Sequence, residues 1–374
     1  MKIVIAIDSF KGSLTAVQAC DIVAAALRAE RPGAELVAVP MADGGEGTAA
    51  ALMATAGGEW IARPVTGPLP EMRVEAGFVW LPQTRTAVVE MATASGLQLL
   101  SQRQQDPLRT TTYGTGELIA GAIEHGAERV LLGVGGSATV DGGVGAATAL
   151  GWRFLTADGQ DIALGGAGLA EIHRIVPPET WMRAEVEVLC DVDNPLCGPH
   201  GAARVYGPQK GATPEMVEAL EAGLSHLATL VKEHLGRDVR DLPGAGAAGG
   251  LAAGAVAFMN ARLVSGIGTV MSHSGLAEAL ADADWVITGE GCLDGQSLRG
   301  KVVSGVTRAA QTTGAKVAVL AGQVRLSPAQ YRAAGIEAAV PCVDAGADVR
   351  DAIANAAALL DRAARRLARV HFCD

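Results

Sequence analysis

The chain has 374 residues, 48 of them glycine, and 30 Lys and Arg against 40 Asp and Glu leave a net charge of −10. That length exceeds the usual single core, so two domains are expected, and the glycine is scattered through periodic apolar segments with no collagen-like or low-complexity repeat. The acidity argues against nucleic acid or an anionic membrane as partner, because both need clustered Lys and Arg; a polyanion would be met locally, with help from metal ions.

In chain order, Ile3 to Ile7 reads as a buried strand ending at Asp8, followed by SFKGS and an Ala-rich helix from about Thr15 to Arg31. Glu35 to Pro40 is the next strand, running into MADGGEGT before a second helix. Both strands end in an acid-bearing loop that opens a helix, the βαβ pattern of a doubly wound sheet. After Gly67-Pro68 the rhythm changes, and Arg73 to Trp80 with Thr86 to Met91 read as a hairpin-like entry into a mixed sheet. Glu185 to Cys190 is a further strand, ending in DVDN. From Asp282 the βαβ pattern returns: DWVIT ends in GEGCLDGQS, KVAVLAG ends in Gln323, and EAAVPCV ends in Asp344. Val349 to Val370 predicts one long amphipathic helix. The expected architecture is α/β with two domains: a Rossmann-like, doubly wound parallel sheet from residues 1–66 and 282–374, and an inserted mixed-sheet α/β domain over 67–281. The active site is expected in the cleft between them.

Cysteines at 20, 190, 197, 292, 342 and 373 contain no C-x-x-C pair, so free thiols and a cytoplasmic location are expected. Met1-Lys2 leads straight into the strand-like IVIAI, too short and too early for a signal-peptide core, so no signal peptide is expected. The uncharged run Leu242 to Ala261 has membrane-helix length, but Pro243 and its glycines favour a buried helix behind a glycine-rich loop.

The most informative stretch is Arg129 to Gly145, RVLLGVGGSATVDGGVG, where a buried strand turns through glycines towards a helix. Gly135, Gly136, Ser137, Thr139 and Asp141 leave a small, polar loop at a helix N-terminus, which favours an anion such as a phosphate. The alternative is a tight turn with no ligand. Acids recur at strand ends, where ligands of open parallel sheets sit: Asp8, Asp43, Asp191 with Asp193, Glu290 with Asp294. Hard oxygen donors of this kind suit Mg²⁺ shared with substrate phosphates. Lys11, Lys210 and Lys301 lie in glycine-containing loops and are candidates for phosphate contacts, while Ser9, Lys11 and Ser13 together could cradle a phosphate or a carboxylate. There is no G-x-x-x-x-G-K-[ST] loop and no histidine metal spacing. Gly133, Gly135 and Ala138 satisfy G-x-G-x-x-A, which leaves an NAD(P)-dependent hydroxy-acid dehydrogenase as an alternative.

The segments DSFKGSLTA, PMADGGEGT, EMATASGL, TTYGTGELI, GVGGSATVDGG, CDVDNPLCGPHGAARVYGPQKGA, GAGAAGGLAAG and ITGEGCLDGQS with GKVVSGV resemble those of bacterial type I glycerate kinases, in order and spacing, over the whole chain. The resemblance implies a two-domain α/β enzyme that phosphorylates D-glycerate with ATP and Mg²⁺ and gives 2-phosphoglycerate. The chain departs from the family pattern at Ile7, Val140, Cys292 and Val303, which replace Pro, Asn, Arg and Pro. Arg299 is the candidate to supply the charge missing at Cys292. A non-catalytic protein that binds glycerate or nucleotide is the second alternative.

Phosphoryl transfer asks the protein for positioning and charge neutralisation. Asp191 is expected as the base or orienting group for the acceptor hydroxyl, with Asp43 its closest competitor. Glu290 and Asp294 are the expected Mg²⁺ ligands, and Lys11 and Lys301 would offset charge on the phosphoryl group. Asp8, Ser9, Ser13, Asn194, Gln296 and Arg299 are the expected substrate contacts. Gly135, Gly136, Ser137, Thr139, Asp141, Lys210 and Lys301 are the expected phosphate contacts. Oligomeric state is left open, a homodimer included.

Overall fold

The strands, in chain order, are β1 (Lys2–Ile7), β2 (Glu35–Ala38), β3 (Glu59–Thr66), β4 (Arg73–Leu81), β5 (Thr86–Glu90), β6 (Arg129–Gly133), β7 (Arg153–Leu155), β8 (Arg174–Val176), β9 (Glu185–Leu189), β10 (Arg262–Val264), β11 (Trp285–Leu293), β12 (Lys316–Val324) and β13 (Ala338–Pro341). The computed structural model describes residues 1–181, 183–298, 300–344 and 348–372. They fall into two units, one built from residues 1–43, 50–57 and 267–374 and the other from 44–49 and 58–266.

In the first unit β13, β12, β11, β1 and β2 lie side by side in that order, all parallel. Ile3, Ile5 and Ile7 of β1, Ile287 of β11 and Leu320 of β12 are buried beneath the helices Ala16–Glu30 and Ala356–His371, whose Leu27 and Leu367 complete the core. The first helix begins where Thr15 and Gln18 form a reciprocal capping box. Its last turn carries Glu30, to which Arg365 and Arg369 of the C-terminal helix are paired. The expected single helix over 349–370 is interrupted. It divides into Val349–Ala354 and Ala356–His371 at Asn355, whose backbone leaves the helical range at φ −108° and ψ 15° while its N–H and its side-chain amide both donate to the Asp351 carbonyl, at 3.1 and 2.9 Å.

The second unit has a six-stranded mixed sheet, ordered β10, β9, β6, β5, β4, β3, in which β5, β6, β9 and β10 run parallel and β4 runs antiparallel to both of its neighbours, β5 and β3. Phe78, Val89, Leu132 and Val188 form its core with Leu118 and Ile119 of the helix Tyr113–His125 and Leu251 of the helix Leu251–Met259. β3, which precedes Gly67, belongs to this sheet as its edge. A second core gathers Trp152, Phe154 and Phe258 with Leu220, Leu224 and Leu227 of the helix Pro214–Leu235. Among the described residues no helix is long and apolar enough to cross a membrane, and the run from Leu242 folds as a glycine-rich turn followed by the buried helix Leu251–Met259.

Candidate active site

In the parallel sheet the chain moves from β1 to β2 in one direction and from β11 to β13 in the other, so the strand order reverses between β1 and β11. Ligands of open α/β sheets sit outside the carboxyl ends at that point. The two strands are in register with Ile7 opposite Gly289, which sets Asp8 and Glu290 as the next residues on each side. β11 does not stop at Thr288 as its apolar run suggests; it continues to Leu293, pairing Glu290 with Ala321 and Cys292 with Gln323 of β12, so Glu290 is carried on a strand.

Burial first, then the charges of Asp43 and Glu290, push Asp8 up to about 7, against the Ser9 N–H, which donates to its carboxylate at 2.6 Å, and the charge of Lys11. Glu290 is raised as well, chiefly by burial, with Asp294 and Asp43 adding to it and Ser297 and Lys301 opposing it. Glu290 Oε1 is buried and has no hydrogen-bond partner among the described residues. The structure therefore brings together Asp8, Lys11, Asp43, Glu290, Asp294 and Lys301. Asp294 opens a turn in which its carboxylate accepts from the Gln296 N–H at 2.8 Å and its own N–H donates to Ser297 Oγ at 2.9 Å. Lys301 is the N-terminal cap residue of the helix Val302–Thr313. Ser13 spends its hydroxyl on the Phe10 carbonyl at 2.8 Å, and Ser9 serves Asp8 through its backbone. Arg299 lies outside the described residues. Arg325, which sequence reasoning passed over, stands electrostatically beside Cys292 and puts a cation next to the position where the family pattern has Arg. Of the other three departures, Ile7, Val140 and Val303 are core residues with no exposed surface.

In the second unit the segment 44–49 lies across the carboxyl ends of the mixed sheet. Gly44 packs against Leu189 and Gly266, and Gly45 against Gly135. Glu90, the last residue of β5, accepts from the Ala49 N–H at 2.8 Å and from the N–H groups of Gly47 and Thr48, so its buried carboxylate caps the helix Thr48–Ala56. Burial raises Glu90 despite those bonds. Its only sequence signal was an acid ending an apolar strand. Asp191 follows β9, is exposed, and one of its oxygens accepts from the Gly266 N–H at 3.1 Å. Asn194 is fixed at both ends of its amide, donating to the His200 carbonyl at 2.9 Å and accepting from the Tyr206 hydroxyl at 2.7 Å.

The glycine loop after β6 is held from inside. Asp141 is fully buried and accepts from the N–H groups of Thr112, Gly143 and Gly145 and from the Thr112 hydroxyl, at 2.8, 3.1, 3.3 and 2.8 Å. Lys210 is buried and donates to Ser137 Oγ at 2.6 Å and to the Thr139 carbonyl at 2.7 Å. Burial pushes Lys210 down to about 7, with Asp141 pulling the other way. Ser137, Thr139, Asp141 and Lys210 thus shape the loop, and its exposed turn is Gly136. The second glycine-rich stretch packs against it: the Gly142 N–H donates to the Gly249 carbonyl at 3.1 Å, and Gly249, at φ +66°, leaves no room for a side chain, since a Cβ there would meet the Thr139 oxygen at 1.9 Å. The G-x-G-x-x-A spacing is not a dinucleotide turn, because the helix Val144–Ala149 opens well past Ala138.

Asp8, Asp43, Glu290 and Asp294 suit a hard divalent cation. Their repulsion and the unpartnered Glu290 oxygen are what such an ion would relieve. Among the described residues no three His, Cys, Asp or Glu side chains are grouped so as to hold a metal ion by themselves.

The glycerate kinase family model matches residues 3–372. Glycerate kinase of Halalkalibacterium halodurans is 44% identical over 372 residues, covering 98% of this chain and 97% of that one. Glycerate 2-kinase of Escherichia coli is 42% identical over 371 residues, with 98% and 97% covered. The crystal structure assigned to glycerate kinase 2 of Salmonella typhimurium LT2 superposes with a TM-score of 0.87 at 42% identity, covering 99% of this chain and 97% of that one. Matched from end to end by the family model and by full-length relatives, this α/β chain is a kinase and belongs to the glycerate kinase family.

Proposed function

We propose that the protein transfers the γ-phosphoryl group of ATP to the 2-hydroxyl of D-glycerate, giving ADP and 2-phospho-D-glycerate, in a reducing cytoplasm that suits its unpaired cysteines. The observation that carries the reading is the carboxylate group of Asp8, Asp43, Glu290 and Asp294 at the strand-order reversal, with Lys11 and Lys301 beside it. The likeness to the glycerate 2-kinase of Escherichia coli supports the choice of the 2-hydroxyl.

In this reading Glu290 and Asp294 hold Mg²⁺, which when bound neutralises charge on the phosphate oxygens. Lys11 and Lys301 offset the negative charge that spreads over the transferred group. Asp191 takes the proton of the acceptor hydroxyl as the new O–P bond forms and the bond to the β-phosphate oxygen breaks, and the Gly266 N–H holds the carboxylate in place for that step. The backbone of Gly135 and Gly136 meets phosphate oxygens, with Ser137, Thr139, Asp141 and Lys210 as the brace behind it. Asp8, Ser9, Ser13, Asn194, Gln296 and Arg299 complete the substrate contacts.

The test is an ATP-consumption assay with Mg²⁺ on D-glycerate, L-glycerate, tartronate and buffer, with phosphorus NMR of the product. Turnover of D-glycerate to a 2-phosphorylated acid is the expected result, and no ATP use with any acid overturns the reading. Asp191→Asn is expected to lower kcat about 10²–10⁴-fold with little change in KM for glycerate. Full turnover in that variant would pass the role to Asp43.

A further inference from the structure

A cavity of about 280 Å³ opens in the first unit at the carboxyl ends of β11, β12 and β13, beside the loop that follows β1. Phe10, Val343, Val349, Ile353 and Leu359 are among the apolar residues of its lining. Lys11, Gln323 and Arg325 belong to the same lining. Val349 and Ile353 are 60% and 43% exposed, and the helix Val349–Ala354 that bears them has no buried residue. An apolar helix face therefore lines an open cavity and is left exposed by the described residues.

The cations are not neutralised either. Lys11 makes no hydrogen bond or salt bridge among the described residues, and the Arg325 guanidinium bonds only to Gln323, at 3.2 Å. A cavity lined mainly by apolar side chains with a few polar groups among them is the general form of a small-ligand site, and this one lies near the lower size limit of about 300 Å³. A planar heterocycle suits the apolar lining, the Gln323 amide can read its polar edge, and the two cations suit an anionic tail. Lys11 also fixes the direction of that tail, because its charge acts on Asp8 of the carboxylate group.

From this geometry we infer that the cavity seats the nucleoside of the phosphoryl donor, its phosphates leaving past Lys11 towards Asp8 and Glu290; the inference rests on the ATP-dependent reading above. It gives the first unit the base and the ribose, which no motif in the sequence assigns.

Photolabelling of the wild-type protein with 8-azido-ATP, followed by peptide mapping, tests it directly. Label within residues 338–359, lost on adding ATP, is expected. Label confined to other segments overturns the inference, and if ATP is still consumed the kinase reading survives that failure. As a second measurement, Ala352→Trp fills the cavity from its helix wall. It is expected to raise KM for ATP at least tenfold while KM for glycerate stays within twofold, whereas Ala357→Trp, on an exposed position outside the cavity, changes neither. An unchanged KM for ATP in Ala352→Trp overturns the inference.

Discussion

Asp8 shows how far one side chain can be held from its ordinary state. Its acidity is displaced to about 7 by burial and by two carboxylates, so ionising it is harder in the folded protein than in the unfolded chain. The sign follows: below the ordinary carboxylate range both states are protonated and nothing is lost, and the cost to stability grows as pH rises from about 4 and is complete above about 7. Asp8→Asn is therefore expected to raise the Tm of the protein at pH 8 by roughly 2–4 °C in the absence of divalent ions, and to leave it unchanged at pH 4. Thermal scans at the two pH values, with and without Mg²⁺, check both parts, and added Mg²⁺ is expected to narrow the gap. Legibility is uneven at this scale. The acids stand out in the sequence because they follow apolar runs, but the closeness of Asp8 to Glu290 depends on which strands become neighbours. Lys210 is the opposite case: a lysine between glycines reads as a surface phosphate contact, and only the fold shows that its ammonium is consumed by Ser137 and Thr139.

At the scale of elements, the glycines around 133–145 read as an anion loop and those from Gly244 as a separate glycine-rich loop before a buried helix, yet the two stretches are largely each other's packing surface. A Cβ at Gly254, inside the helix Leu251–Met259, would meet the Gly142 carbonyl at 2.3 Å. Gly254→Ala is expected to cost about 1–3 kcal/mol by forcing the helix from the loop, seen as a lower denaturation midpoint, although the same change in an open helix is favourable. Strands buried on both faces, such as β1 and β12, were legible as continuous apolar runs. β3 was not, since it is an edge strand with Arg63 and Pro64 in its middle and mostly exposed or half-buried positions. The break at Asn355 escaped because the apolar period runs through it unbroken, while the backbone there leaves the helical range at φ −108° and ψ 15°.

For the whole molecule, the βαβ rhythm visibly stops and resumes in the sequence, whereas the passage of residues 44–49 into the second unit leaves no such mark, as so short a segment has no rhythm to read. The pairing of β1 with β11 carries a consequence for biosynthesis. When the ribosome has made the second unit's last residue, Gly266, everything that unit needs has left the tunnel or soon will, but β1 still lacks β11, which begins only at Trp285. Chains stalled some forty residues past Gly266 are expected to show residues 58–266 resistant to protease and residues 1–43 readily cut; resistance of both would mean that β1 and β2 find another shelter. Until β11 has been made, the apolar strand Lys2–Ile7 has an open edge, which makes that strand the natural client segment for a chaperone and the point at which slow translation carries the greatest risk of aggregation.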